Sequence, residues 1–214
     1  MIKAIFWDFG GVFTTSPFDA FNRYEAANGF PHDFIRTVNA TNPLDNAWAR
    51  FESSRIDATE FDRQFEIESR ALGHVIPGRD VLPLLSGDLR PRMIAALRLC
   101  KQHFGNACLT NNVRSGEGSG MARSQRKATE VEGVMSLFDH VLESSKEGIR
   151  KPNPAFYELA CNRMGVVPND VVFLDDLGVN LKPAAAMGMQ TIKVLSEDQA
   201  LTDLGAIVGL TFPA

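Results

Sequence analysis

Carboxylates that follow apolar runs are the residues of this sequence best suited to chemistry. Asp8 comes directly after the apolar run at residues 4–7, and two glycines, Gly10 and Gly11, follow it closely. Glycine lets the backbone turn tightly and approach an anion, and a carboxylate can attack phosphorus or bind a metal ion. Taken alone, Asp8 fits equally well a turn residue at the end of a strand.

A second apolar run, at residues 171–174, ends on two adjacent carboxylates, Asp175 and Asp176. Like charges in this arrangement repel each other unless a cation lies between them. Mg²⁺ is a hard ion that takes carboxylate, water and phosphate oxygens. The pair therefore predicts a magnesium site, and it is the most specific signal in the sequence.

Two further segments place polar groups after predicted strands. Thr110 and Asn111 end an apolar run and offer donors to phosphate oxygens, although both residue types also end strands as turn formers. Lys151 precedes Pro152 and a predicted helix entry. Its ammonium group could neutralise a phosphate and an attacking carboxylate, and the alternative is a solvated surface lysine.

The apolar runs and the amphipathic stretches between them predict how these residues are positioned. Buried parallel strands are predicted at residues 3–9, 107–110, 140–143, 171–174 and 191–194. Helices are predicted at residues 91–104, 123–137, 154–164 and 179–187. This alternation indicates a doubly wound, Rossmann-like α/β sheet, in which ligands bind outside the carboxyl ends of the strands.

Residues 17–87 interrupt the alternation with helix-like apolar spacing and no convincing strand. We predict a helical insertion there, after the first strand, with an α/β core formed by residues 1–16 and 88–214. Asp57 or Thr59 is expected to start one of its helices. The glycine- and serine-rich segment at residues 114–120 is predicted to be mobile.

Composition narrows the functional classes. The net charge of -4 argues against sequence-independent nucleic-acid binding, which depends on neutralising phosphates. The amino-terminal residues resemble neither a signal peptide nor a membrane-spanning helix, so a cytoplasmic protein with a small-molecule partner is expected. Cys100, Cys108 and Cys161 are widely spaced and odd in number, which favours reduced thiols. A monomer and a homodimer remain equally open.

In chain order, the four polar segments resemble the four motifs of the haloacid dehalogenase superfamily. The stretches at residues 148–152 and 173–183 are most similar to the amino-terminal phosphatase domain of soluble epoxide hydrolases and to related bacterial sugar phosphatases. Residues 51–56 resemble a segment of the helical cap of that group. The resemblance identifies the insertion as a cap placed just after the first motif.

The resemblance implies a phosphatase that acts on a small phosphorylated metabolite. Asp8 would form an aspartyl-phosphate, Lys151 would balance its charge, and Thr110 and the Asn111 amide would hold phosphate oxygens. Magnesium would be bound by the Asp8 carboxylate, the Gly10 carbonyl and Asp176, with Asp175 close by and Asn180 supporting the loop. Arg50, in the predicted cap, is the residue there best suited to contact an anionic substrate.

One position departs from the family pattern. Most phosphatases of the family have a second aspartate two residues after the nucleophile, as general acid and base, and this chain has Gly10. Thr14, Thr15 and Asp45 are candidate substitutes. Two alternatives stay open: a metal-independent 2-haloacid dehalogenase, and a catalytically impaired protein that binds a phosphate ligand.

Overall fold

A computed structural model describes residues 1–112 and 125–212 of the chain. Its strands are β1 (Ala4–Trp7), β2 (Gly105–Thr110), β3 (His140–Glu143), β4 (Val171–Asp175) and β5 (Gln190–Lys193). They form one parallel sheet in the order β3-β2-β1-β4-β5. Every residue of β1 and β4 is buried, because helices cover both faces of the sheet. The predicted fold class is confirmed.

The strand register aligns the carboxyl ends of the three central strands. Trp7, the last residue of β1, lies opposite Cys108 of β2 and Leu174 of β4. The chain continues in register beyond β1, since the Asp8 amide donates to the Leu174 carbonyl over 2.8 Å. Polar residues that follow these strands therefore meet at one edge of the sheet.

The chain between β1 and β2 begins with a series of helices, as the apolar spacing predicts. These helices are α1 (Pro17–Asn28), α2 (Phe34–Ala40), α3 (Ala47–Glu52), α4 (Ala58–Ala71) and α5 (Gly78–Val81), followed by a 3₁₀ turn (Leu82–Leu85). The predicted start of α4 is confirmed, because the Asp57 carboxylate accepts from the Glu60 amide over 2.8 Å. Phe51, Phe61 and Phe65 belong to a hydrophobic cluster distinct from those on the sheet.

A second set of helices covers the two faces of the sheet. They are α6 (Pro91–Cys100), α7 (Gln125–Met135), α9 (Pro154–Met164), α10 (Gly178–Ala186) and α11 (Glu197–Val208), with the single turn α8 (Ser144–Glu147) after β3. Each face has its own hydrophobic cluster, one around Trp7 and Phe13 and the other around Phe6 and Phe173. Asn153 caps α9 by accepting from the Ala155 amide over 3.0 Å.

The predicted elements differ from the observed ones mainly at their ends and at the carboxyl terminus. The helix expected at residues 91–104 stops at Cys100, and α11 had no predicted counterpart. A start signal for α11 was present, because the Ser196 hydroxyl accepts from the Gln199 amide and acidic residues occupy the first turn. The segment predicted to be mobile, residues 114–120, lies outside the described residues.

Two further expectations from the sequence are that the cysteines are free thiols and that the chain has no membrane-spanning helix. Cys100, Cys108 and Cys161 are all buried free thiols, as predicted. Across residues 1–112 and 125–212, none of the helices combines the length and the apolar character needed to cross a membrane.

Candidate active site

Three carboxylates from two neighbouring strand ends converge at the carboxyl edge of the sheet. Asp8 follows β1, Asp175 ends β4, and Asp176 follows it. Each offers one oxygen, and these three oxygens lie within 4.8 Å of one another. The structure thus brings together residues that lie far apart in the sequence, as the strand order predicts.

Lys151 lies at the centre of this group. Its Nζ is 2.9 Å from Asp8 Oδ1 and 2.6 Å from Asp175 Oδ2, and the side chain is buried. Burial by itself would lower the pKa of the lysine, but the two carboxylates outweigh burial and raise that pKa. The ammonium group therefore remains charged and links the ends of β1 and β4.

Three carboxylates lie at this edge, and Lys151 forms ion pairs with two of them, Asp8 and Asp175. Burial, despite the nearby Lys151, raises the pKa of Asp8 well above its usual range. Burial and the neighbouring Asp175 raise the pKa of Asp176 to about 7. Among the described residues the Asp176 carboxylate makes no ion pair. Three carboxylates, two of them buried, with only one lysine among them fit a hard divalent cation such as Mg²⁺.

Gly10 and Gly11 differ in whether the backbone conformation and the neighbouring atoms require glycine. Gly11 has a φ of +72°, and an added Cβ would lie 2.2 Å from Asp176 Oδ2. Only glycine fits there, because the carboxylate lies directly against the backbone. Gly10 lacks a positive φ, and an added Cβ at that position would meet no atom of the described residues within 4 Å.

Asp175 is the most thoroughly hydrogen-bonded carboxylate of the group. Besides contacting Lys151, it accepts from the Leu177 amide over 2.8 Å and from Asn180 Nδ2 over 3.0 and 3.1 Å. The Tyr157 hydroxyl donates to the Asn180 carbonyl over 2.6 Å and so helps to hold Asn180 in position beside Asp175. Sequence reasoning missed Tyr157, because nothing in the α9 pattern distinguishes it from an ordinary core aromatic.

The Asn111 side chain is bonded to the backbone of Lys151. Asn111 Nδ2 donates to the Lys151 carbonyl over 3.0 Å, and Asn111 Oδ1 accepts from the Lys151 amide over 2.9 Å. This reciprocal pair fixes the lysine loop against the end of β2. Any contact of Asn111 with a phosphate is therefore left to its backbone amide, which lies next to Thr110, the buried last residue of β2.

Residues beyond the predicted set fix the neighbouring loops. Asn112 Nδ2 donates to Glu143 Oε1 over 2.6 Å, and the Ser145 hydroxyl donates to Asn112 Oδ1 over 2.8 Å. Lys146 forms an ion pair with Glu143. The Glu143 carboxylate is thus engaged in linking β2 to β3. Glu143 is the last residue of β3, and this position at a strand end is the sequence feature that could have identified it.

The helical insertion contacts this edge of the sheet through α3. Glu52 is the last residue of α3, and its Oε2 lies 2.8 Å from Nη2 of Arg150. Arg150 directly precedes Lys151 in the chain. The Ser144 hydroxyl donates to the Glu52 carbonyl over 2.7 Å, and the Ser54 hydroxyl donates to the Ser145 carbonyl over 3.0 Å. Burial raises the pKa of Glu52 although Arg150 opposes that shift.

Removing Glu52 should destabilise the protein, because Arg150 would remain largely buried without its carboxylate. We expect Glu52→Ala to lower the free energy of unfolding by about 3 kcal/mol. The matched control is Glu147→Ala, whose Oε2 lies 2.7 Å from Arg163 Nη2 in a more exposed pair. That change should cost at most about 1 kcal/mol. Urea denaturation would measure both, and equal losses would contradict the prediction.

Arg50 lies in α3 but its guanidinium is engaged within the insertion. It donates to the Asp45 carboxylate over 2.9 and 3.1 Å and to Gln64 Oε1 over 3.1 Å. Arg55 contacts the same Asp45 carboxylate over 3.0 Å. The structure thus shows what Arg50 binds within the chain, and its contact with a substrate stays a prediction.

Comparison with known proteins identifies the family. A model of the haloacid dehalogenase-like hydrolases matches residues 2–188. The chain belongs to this family. The predicted superfamily and the hydrolase class are therefore confirmed.

Two mouse proteins and one bacterial structure illustrate these similarities. The chain is 31% identical over 213 residues to mouse acyl-CoA dehydrogenase family member 10, covering 97% of the chain and 19% of that protein. It is also 31% identical over 205 residues to mouse bifunctional epoxide hydrolase 2, covering 91% of the chain and 36% of that protein. The chain thus spans only a minor part of these relatives.

The structural likeness is one of fold. A HAD family enzyme from Bacteroides thetaiotaomicron, solved with magnesium and inorganic phosphate, matches with a TM-score of 0.58 at 18% identity. The match covers 90% of this chain and 93% of that one. Proteins named as phosphatases and as a 2-haloacid dehalogenase also match this haloacid dehalogenase-like hydrolase in sequence.

Proposed function

We propose that this hydrolase is a magnesium-dependent phosphatase that acts on a small phosphorylated metabolite. The observation that supports this most strongly is the group of three carboxylates around one buried lysine, with Lys151 Nζ contacting both Asp8 and Asp175. Phosphoryl transfer depends mainly on positioning and on neutralising charge, and this arrangement offers both. The phosphatases among its sequence relatives favour the same reaction.

In the proposed reaction the Asp8 carboxylate attacks phosphorus and the leaving oxygen departs. Water then attacks the aspartyl-phosphate, which releases inorganic phosphate and restores Asp8. The Lys151 ammonium balances charge on Asp8 and on the phosphate, and the Thr110 hydroxyl and the Asn111 backbone amide donate to phosphate oxygens. The Asn111 side chain positions Lys151 by holding its backbone.

Magnesium would be bound by the Asp8 carboxylate, the Gly10 carbonyl and Asp176, and when bound it supplies positive charge that offsets the carboxylates and the phosphate. Asp175 lies close by and orients Lys151 instead. The helical insertion, which we assign to residues 17–87, would serve as a cap over a core of residues 1–16 and 88–214. Arg50 is its proposed substrate contact.

A metal-independent 2-haloacid dehalogenase is the alternative reaction, favoured by the absence of a second acid at Gly10. The adjacent pair Asp175 and Asp176 argues against it, since a metal-free site would have to keep both carboxylates beside Asp8 with one lysine. A phosphate-binding protein without efficient turnover would have no physical need for this costly group of charges.

A substrate panel separates these reactions. We expect inorganic phosphate to be released from at least one small phosphate ester with Mg²⁺, and the release to stop with a chelator. Chloride release from 2-chloropropionate without metal would replace the phosphatase with the dehalogenase. If phosphate esters bind and neither product appears, the protein would instead bind a phosphate ligand.

Mg²⁺ should stabilise the protein, and the effect should depend on Asp176 and on pH. Because the pKa of Asp176 is raised to about 7, its ionised form costs stability in the metal-free fold as pH rises from its ordinary pKa of 3.8 through 7. Magnesium must displace that proton, so its apparent affinity should fall about tenfold per pH unit below 7.

Differential scanning fluorimetry with a magnesium titration at several pH values would measure this stabilisation. At pH 8 we expect Mg²⁺ to raise the melting temperature of the wild-type protein. Asp176→Asn should lose most of that increase, while Asp203→Asn, an exposed position on α11, should keep it. An unchanged magnesium response in Asp176→Asn would remove Asp176 from the proposed metal site.

A further inference from the structure

Among the described residues, the position of Gly10 faces open space, two residues after Asp8. An added Cβ there would meet no described atom within 4 Å, and the residue lacks the positive φ that would require glycine. Gly11, one residue later, shows both constraints. Neither backbone conformation nor packing against the described residues therefore requires glycine at position 10.

The hydroxyl and carboxyl groups proposed to replace an acid at position 10 are engaged elsewhere. Thr14 Oγ1 accepts from the Gly11 amide over 3.3 Å, and Thr15 Oγ1 accepts from the Asp88 amide over 3.0 Å. Both are alcohols, which are much weaker acids than a carboxylic acid. Asp45 is bound to Arg50 and Arg55 in the helical insertion. Its guanidinium partners keep this carboxyl ionised, so it has no proton to give.

The other carboxylates at this edge of the sheet are also committed. Asp175 is bonded to Lys151 and Asn180, Glu143 to Asn112 and Lys146, and Glu52 to Arg150. Each therefore already has a cationic or amide partner. Asp176 makes no ion pair among the described residues, but it is a proposed magnesium ligand, so we do not assign it as the acid. Within residues 1–112 and 125–212, the remaining carboxylates at this edge are thus all engaged.

A general acid matters most when the leaving oxygen is strongly basic. The transition state of phosphoryl transfer is loose, so much negative charge develops on the leaving oxygen. A positioned acid stabilises that charge and contributes about 10² to 10⁴ in rate. Without one, the rate must follow the intrinsic stability of the departing anion.

We propose that this enzyme acts on activated phosphates, whose leaving oxygen is weakly basic, as in acyl, enol or aryl phosphates. The inference rests on the proposed phosphatase function and names its substrate class. The P–O bond to the leaving group breaks as the Asp8 oxygen bonds to phosphorus. The leaving oxygen departs as an anion and takes its proton from solvent. Water then cleaves the aspartyl-phosphate, returning one proton to solvent, so the reaction balances.

A series of aryl and alkyl phosphates of increasing leaving-group pKa tests this proposal. The quantity to measure is kcat/KM with saturating Mg²⁺, because it reports steps up to the first phosphoryl transfer. For wild type we expect a fall on the order of 10⁴-fold from the least to the most basic leaving group, since no acid compensates for basicity.

Two substitutions at the open position sharpen the test. Gly10→Asp should raise kcat/KM for the most basic leaving groups, relative to kcat/KM of the same variant for the least basic ones, by about 100-fold. Gly10→Ala occupies the same space without an acid, so it should keep the steep dependence of the wild-type protein.

The outcomes distinguish this proposal from the proposed function. Phosphate release with a steep leaving-group dependence supports both. Phosphate release that varies little with leaving-group pKa in the wild-type protein overturns the substrate class and leaves the phosphatase intact. If none of the esters releases phosphate, the phosphatase itself is wrong, and the substrate class falls with it. The leaving-group dependence of the wild-type protein tests the substrate class even if Gly10→Asp fails to fold.

Discussion

Asp8→Asn is expected to lower phosphate release by on the order of 10⁴-fold or more, because an amide cannot act as the anionic nucleophile. The variant should still fold. Burial raises the pKa of Asp8, so a neutral side chain of the same shape relieves a desolvation cost. Lys151 keeps its contact with Asp175 at 2.6 Å. The loss should therefore appear in turnover and not in the melting temperature.

Phosphate release by wild type, Asp8→Asn and Asp8→Ala would be measured with the best ester of the panel. Asp8→Ala guards against slow conversion of the asparagine back to aspartate. Asp203→Asn makes the same chemical change at an exposed position of α11 and should retain full activity. Turnover within tenfold of wild type in both Asp8 variants would exclude Asp8 as the nucleophile.

Lys151→Met is expected to damage both stability and activity, since it leaves Asp8 and Asp175 facing each other without a cation. The lysine is 1% exposed and Asp175 is 0% exposed. Breaking a buried ion pair by removing one partner typically costs about 3 to 5 kcal/mol. Activity should fall as well, because charge on Asp8 and on the phosphate would no longer be balanced.

Lys3→Met provides a matched control for this change. Lys3 Nζ lies 2.6 Å from Asp170 Oδ2, the same distance as in the Lys151–Asp175 pair, but the Lys3 side chain is 67% exposed. Its loss should cost less than about 1 kcal/mol. Chemical denaturation of both variants measures the difference. Similar losses at the two positions would show that the buried lysine does not stabilise the carboxylate group.

The pH dependence of the Lys151→Met destabilisation gives a second readout. Lys151 lowers the pKa of Asp8, so removing the lysine should raise that pKa further. As pH falls, a larger fraction of Asp8 is protonated, and protonated Asp8 needs no cation beside it. The stability difference from wild type should therefore shrink as pH falls. A difference that stays constant with pH would contradict this account.

The sequence by itself determined the sheet and the residues at its carboxyl edge. Apolar runs that end on Asp8, Thr110 and Asp175 match the observed strands closely. Such patterns are readable because a buried parallel strand needs apolar side chains on both faces, and its end is marked by the first polar residue. The helical character of the insertion was readable for the same local reason, through spacing and the Asp57 cap.

Tertiary structure alone decided how those residues are used. Asn111 holds the backbone of Lys151, Tyr157 supports Asn180, and Glu52 pairs with Arg150. Gly10 and Gly11 look alike in the sequence, yet only Gly11 lies against the Asp176 carboxylate. Strand and helix patterns are set by each segment's own residues. Contacts between loops that are distant in the sequence depend on where packing brings them, and no local pattern records that.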